Sequence, residues 1–173
     1  ALLGEPSLIG SEYVLVGSLR DNTPSGKYLV NFFDHLVVGN CFWKGQQEPY
    51  RIRWSNLREF GTWEAKRTNE ADWYDFLESS NDRIHGITGM HVVNDLLVVL
   101  TSGSVNLVRY VGLPRIIQVQ TNAAKVGNDF PYASLQMFGF VWFLSERAQS
   151  FFVFDGQSAT PVGREIIFPF LAD

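Results

Sequence analysis

Apolar and polar residues alternate along much of this chain with a period of two. Tyr50, Ile52 and Trp54 alternate with Arg51 and Arg53, and similar runs recur on either side. That period belongs to a strand with one buried face, because successive side chains of an extended backbone point to opposite sides. On this pattern strands are expected at Tyr28–Phe33, Leu36–Val38, Cys41–Trp43, Tyr50–Trp54, Ile84–Met90, Val92-Val93, Leu96–Leu100 and Val105–Val111. Ile116–Gln120, Ser134–Phe138, Phe140–Leu144, Phe151–Phe154 and Ile166–Leu171 complete the set, with a short run at Tyr13–Val16 near the start. Turn chemistry separates them at Asp34-His35, Gly45–Pro49, Asn94-Asp95, Ser102-Gly103, Gly112-Leu113-Pro114 and Asp155-Gly156. Two stretches carry no clear period: Thr121–Pro131 reads as polar loop, and Phe60–Asp82 reads as irregular loop or short strand. Trp73, Phe76 and Leu77 also have the spacing of one helical turn, so any helix is expected near residues 64–80.

Roughly a dozen short strands with turns every 8–12 residues predict an all-β fold: sandwich, barrel or propeller. A degenerate repeat favours β-propeller-like antiparallel blades over the alternative, a β-sandwich. An apolar strand, a small turn and a second apolar strand recur at FFDHLVV, HVVNDLLVV and MFGFVWFL, about 45–60 residues apart. Residues 1–27 read as an irregular lead-in with one short strand, and 28–173 as the propeller-like domain.

Composition narrows the functional classes. A chain of 173 residues can bury about two thirds of its unfolded surface, enough for one domain. Charged residues make up only 18%, while 14 Phe, 6 Tyr and 5 Trp suit strands and interfaces. A net charge of −4 without a basic run argues against nucleic acid as a direct partner. Cys41 is the only cysteine, so neither an intrachain disulfide nor a multi-cysteine metal site is expected. No apolar stretch approaches the roughly 20 residues of a membrane-spanning helix, and no signal peptide is read. The chain begins at Ala1 without Met, as a processed chain or a piece of a longer one does.

No catalytic box stands out. His35, His85 and His91 show no HExxH spacing and read as solvated turn or loop residues, so no metal or cofactor is expected. Asp34, Asp95 and Asp155 all fall in turns. Carboxylates at blade starts could serve a glycosidase, but Asp also bonds its own turn backbone, which is the simpler role. Arg51 and Arg53 share one strand face. They are read as a solvated face, or as a strip facing DNA or a neighbour's carboxylates. Arg109, Arg115, Arg147 and Arg164 are scattered. Adjacent aromatics at Phe32-Phe33, Phe42-Trp43, Trp142-Phe143 and Phe151-Phe152 point to both strand faces, the mark of a strand buried on both. Trp43, Phe151 and Phe152 join Arg51 and Arg53 as candidate interface or channel residues.

The order NFFDHLVVGN, PYRIRWSNL with GTW soon after, RIHGITGMHVVNDLLVVLTSGSVNLVRYVG, VWFLSE, FFVFDG and TPVG resembles the β-propeller virion proteins of tailed bacteriophages. The likeness is to the tail nozzle or packaged-DNA-stabilisation type at the head–tail junction, and it covers roughly residues 28–171. It implies a non-enzymatic structural protein made in the host cytoplasm and built into the virion. It further implies a homo-oligomeric ring, contacts with other tail or portal and adaptor proteins, and non-specific contact with DNA in a channel. Family members are usually longer and close a complete ring, whereas three repeats do not. The resemblance therefore implies a fragment, or blades completed by a neighbouring subunit or domain. The reading from another class is a carbohydrate-binding or glycoside-cleaving propeller. On either reading, strands apolar on both faces need a cover, so self-association or a partner is expected.

Overall fold

Twelve strands form three four-stranded antiparallel sheets, each a simple meander. The computed structural model describes residues 23–162 other than 79 and 81. Sheet 1 contains β1 (Ser25–Phe32), β2 (His35–Trp43), β3 (Gln46–Trp54) and β4 (Asp72–Asp75). Sheet 2 contains β5 (Ile87–Val93), β6 (Leu96–Thr101), β7 (Val105–Tyr110) and β8 (Ile117–Ala124). Sheet 3 contains β9 (Ser134–Met137), β10 (Phe140–Ser145), β11 (Ser150–Phe154) and β12 (Ala159–Val162). The three repeats read in the sequence are the first hairpins of the three sheets: β1–β2, β5–β6 and β9–β10.

The fold is all-β, and among the described residues there is no helix. Trp73, Phe76 and Leu77 do not make a helical turn: Trp73 lies in β4, paired with Arg53 of β3. The ladder satisfies the backbone there, and cross-strand packing outweighs the weak helical spacing. Residues 121–124, expected in a loop, extend β8 along β7. β12 has a weak pattern of its own and owes its place to pairing with β11. Two-residue turns tighten the hairpins. Phe33-Asp34, Lys44-Gly45 and Phe138-Gly139 each have positive φ at both positions, as a type I′ turn requires. The first turn therefore sits one residue earlier than the expected Asp34-His35, and His35 opens β2. The expected strands at Tyr13–Val16 and Ile166–Leu171 lie outside the described residues.

The sheets pack face to face, with β5 touching β1 on one side and β9 on the other. Sheets 1 and 2 enclose one core, in which Val37, Ile52 and Trp54 meet Leu97, Val99 and Val108. Sheets 2 and 3 enclose another, in which Val98, Leu100 and Leu107 meet Val141, Phe143 and Phe154. Phe143 and Phe152 stack within it with ring centroids 5.7 Å apart. Sheet 2 is thus apolar on both faces, because both are covered. Close approach at the first contact needs Gly39, where an added Cβ would lie 2.2 Å from Met90 Sδ.

Polar struts fix how the sheets register. Asn40 Nδ2 donates to Ile87 O at 3.1 Å, and Asn128 Nδ2 donates to Thr88 O at 3.2 Å. His91 Nε2 and Ser134 Oγ lie 2.8 Å apart between β5 and β9. One device occurs twice. Asp82, five residues before β5, accepts from Thr101 Oγ1 at 2.8 Å and from the Gly103 N–H at 2.7 Å. Asp129, five residues before β9, accepts from Ser145 Oγ at 3.1 Å and from the Arg147 N–H at 3.2 Å. In both sheets an Asp ahead of the first strand clamps the end of the second strand and the turn beyond it. Asp82 and Asp129 each follow an Asn in the sequence, but so does Asp95 in the β5–β6 turn, so the pair Asn-Asp does not by itself mark the start of a repeat.

Asp155 and Gly156 occupy the β11–β12 turn as expected, with Gly156 at φ 98°. A β-branched residue is strained there, so Gly156→Val should lower stability by about 1–3 kcal/mol. Thermal melts followed by far-UV circular dichroism check this, and an unchanged melt would contradict it.

Candidate functional site

The charged candidates lie on the outer face of sheet 1, the side turned away from sheet 2. Cross-strand neighbours point to the same side. The register Leu29–Val38–Arg53–Trp73 therefore runs as one row across this face. Glu48, earlier on β3, accepts from Arg53 Nε and Nη2, both at 2.7 Å, and also from Arg51 Nη1. Arg51 in turn makes a bidentate pair with Asp75 through Nε and Nη2, the latter at 2.6 Å. Each guanidinium also covers a ring: Arg51 lies 3.9 Å from the Trp73 centroid and Arg53 lies 4.0 Å from that of Trp43.

Two cations and two carboxylates balance, so Arg51 and Arg53 form a closed ion network and not an electropositive strip. Nor are they a solvated face: Arg53 is buried and Arg51 half-buried. The hydrogen bonds that Arg51 donates to Asp75 hold the guanidinium further in its charged form, against the cost of desolvation. Trp43 is half-buried beneath Arg53, with the Lys44 ammonium 4.6 Å from its ring. Below the network Val38, Cys41 and Trp63 make a small third core, in which Trp63 folds back from the β3–β4 connection. Burial pushes the Cys41 thiol up to about 12, and the Glu48 charge adds to that shift.

The two adjacent phenylalanine candidates part company. Phe152 points inward and belongs to the core between sheets 2 and 3. Phe151 points outward and is exposed. Pairing carries its side of the sheet across all four strands. Leu135, Trp142, Val153 and Thr160 form one row, Met137 and Phe140 a second, and Leu144, Phe151 and Val162 a third. Thr160 is the single polar residue in these rows. This outer face of sheet 3 is apolar from edge to edge, and no part of the described chain packs on it as a core cluster. A continuous apolar sheet face of this kind marks a contact surface.

The histidines are not a set. His35 is buried, not solvated, because β2 starts one residue earlier than its turn pattern suggests. Its Nδ1 lies 2.7 Å from Ser55 O and donates to it. Nε2 lies 3.3 Å from Glu70 Oε2 but is not aligned for a hydrogen bond. His85 is exposed beside Glu78, and burial lowers the His91 pKa, favouring its neutral form. Among the described residues no three of His, Cys, Asp and Glu gather to hold a metal ion. A cavity of about 10 Å³ beside His35, Trp54 and Tyr110 is no larger than a single water needs.

The three turn aspartates also stay separate. Asp34 pairs with Arg58 at 2.9 Å. Asp155 accepts from the N–H groups of Ser158 and Gln157 at 2.7 and 2.8 Å, and these bonds hold its carboxyl below the usual range. Asp95 sits exposed in the β5–β6 turn. What the sequence reading missed is the acids that matter: Glu48, Asp75, Asp82 and Asp129. Asp82 and Asp129 carried no distinguishing signal, since the Asn-Asp pair that contains them also occurs at the Asn94-Asp95 turn. Glu48 and Asp75 carried none, since only the bulge at Gly39–Cys41 and the β3–β4 pairing bring them to the arginines.

Compared with known proteins, the chain matches no family model and no curated protein. Among the described residues no helix is long and apolar enough to cross a membrane.

Two expectations follow from the ion network and the small core beneath it. Glu48→Ala leaves the buried Arg53 charge without its carboxylate, and breaking such a pair costs about 3–5 kcal/mol. Chemical denaturation reads this as a lower midpoint. Cys41, protonated and enclosed, should resist a thiol reagent at pH 8 until the chain is unfolded; labelling of the folded protein within minutes would contradict its placement.

Proposed function

We propose that this chain is a non-enzymatic structural component of a tailed bacteriophage virion, at the tail or head–tail junction, and that it works by assembly. The observation that carries the reading is the apolar outer face of sheet 3, which spans four strands with one polar residue and is left uncovered by the described residues. An apolar sheet face left in water is a liability that natural proteins cover. A protein whose role is to be built into a larger body has that cover supplied. The order of motifs from NFFDHLVVGN to TPVG supports the phage tail family as the setting. Three successive four-stranded meanders packed face to face are compatible with a ring component, since blades repeated around a ring leave only short strand edges exposed. Contact with DNA, if the chain lines a channel, would come from groups other than Arg51 and Arg53, whose charges are already met. Localisation to the virion follows from the same reading.

Gold-labelled antibodies raised against the chain, applied to purified particles of the phage that encodes it, test the proposal directly. Label concentrated at the tail or the head–tail junction is the expected outcome. Particles free of the chain by both labelling and mass spectrometry would overturn it.

A further inference from the structure

The face of sheet 3 and the face of sheet 1 are the two halves of a contact that this chain already makes twice. Counting from the start of the second strand in each sheet, the third residue is Val37, Val98 or Trp142. Val37 packs toward sheet 2 and Val98 toward sheet 3. Trp142, the same position in sheet 3, points outward with no core cluster of the described residues beyond it. The fourth residue is Val38, Val99 or Phe143. Val99 packs back toward sheet 1 and Phe143 back toward sheet 2. Val38, the same position in sheet 1, faces out, with Trp63 over part of it. Each sheet thus has a leading face and a trailing face. Leading meets trailing at both internal contacts, and one of each is left over at the ends.

We propose that a second copy of this chain supplies the missing half at both ends, so that two three-sheet arcs close head to tail into one six-sheet ring. This rests on the reading of the sheet 3 face as an assembly surface, and names its partner. Three considerations select the second copy. The contact continues an interface present twice in the chain, and it leaves no apolar face uncovered. The trailing face of sheet 1 offers uncharged contacts beside its neutralised ion network: Leu29 is 63% exposed and Trp73 is 43% exposed. The uncharged leading face can therefore dock beside Arg51 and Arg53 without stranding either of their charges. Last, propellers close with four to eight blades. One copy has three, three copies would have nine, and only two copies fall within the range.

Area decides between closure and an open string. A face of four strands about 4.8 Å apart and about five residues long covers roughly 300 Å². A single contact buries two such faces, well short of the ~1,200 Å² of a specific interface. Closing both contacts at once buries four faces and reaches that threshold. A closed pair is therefore favoured over a chain of singly joined copies. The arrangement is a two-fold dimer whose two contacts are alike, each pairing sheet 3 of one copy with sheet 1 of the other.

Sedimentation of the 173-residue chain over a hundredfold concentration range tests this, alongside Phe151→Lys on the leading face and Leu29→Lys on the trailing face. Both side chains are exposed, so far-UV circular dichroism should show the fold retained. The expected result is a species of twice the chain mass for the parent, and monomer for each variant. A dimer that survives Leu29→Lys would mean sheet 3 pairs with its own copy, and would overturn the ring. A parent that is monomeric throughout would overturn the second copy, and species that grow with concentration would overturn closure. F151C gives a reading that does not depend on introduced charge, because Cys41 is buried and silent. Its labelling should quicken at least tenfold on dilution from dimer to monomer; a rate independent of concentration would count against the contact. None of these outcomes bears on whether antibody labels the particle, so the two proposals fail separately.

Discussion

A β-sheet that is apolar on both faces must be covered on both, and this requirement organises the molecule. Sheet 2 meets it completely, with Leu97 and Val99 facing one neighbour and Val98 and Leu100 facing the other. Successive residues of β6 thereby serve different cores, which is why that strand reads as a run of Leu and Val without alternation. The outer sheets inherit the same pattern and only half of the cover. Sheet 1 covers part of its outer face by a local device: the β3–β4 connection returns Trp63 over Val38 and Cys41, and a four-member ion network lies beside them, with Leu29 and part of Trp73 left exposed. Among the described residues sheet 3 has no such device.

That asymmetry gives the chain a direction. The meander enters each sheet at its first strand, leaves at the fourth, and crosses to the first strand of the next. The clamps made by Asp82 and Asp129 fix each entry to the sheet it precedes, by holding the turn between the second and third strands. Inter-sheet struts such as Asn40 to Ile87 O and His91 to Ser134 then set the stagger between neighbours. Buried polar groups of this kind contribute modestly to stability when paired and cost far more when broken. Their effect is to make one packing of the sheets preferable to its slid alternatives, where apolar side chains alone would tolerate several.

The ion network shows how a surface that looks functional by composition can be spent on structure. Two arginines at alternate positions of a strand, next to tryptophans, have the make-up of an anion-binding strip. Glu48 and Asp75 meet both guanidiniums with charge-assisted hydrogen bonds, and the rings of Trp43 and Trp73 cover them. Little is left to offer a phosphate. The surface with unmet requirements is the uncharged one, where water meets Phe140 and Phe151.

The sequence by itself determined the class of fold, the number of strands to within a few, the three repeats and the Asp155-Gly156 turn. Each of these is local: period-two alternation and turn chemistry act within a few residues, so they can be read without knowing what lies across the sheet. Tertiary structure decided the rest. β4 and β12 exist because β3 and β11 offer them an edge, and Trp73 follows that edge although its neighbours have helical spacing. His35 is buried because the turn before it closed one residue early. Phe151 and Phe152 read alike in the sequence, and their opposite fates depend on which face of sheet 3 meets sheet 2. Glu48 reaches Arg53, on the same strand, only through a bulge in the pairing of β2 with β3. Which apolar face is covered is a property of the layers above and below, separated by tens of residues along the chain, and no local pattern carries it.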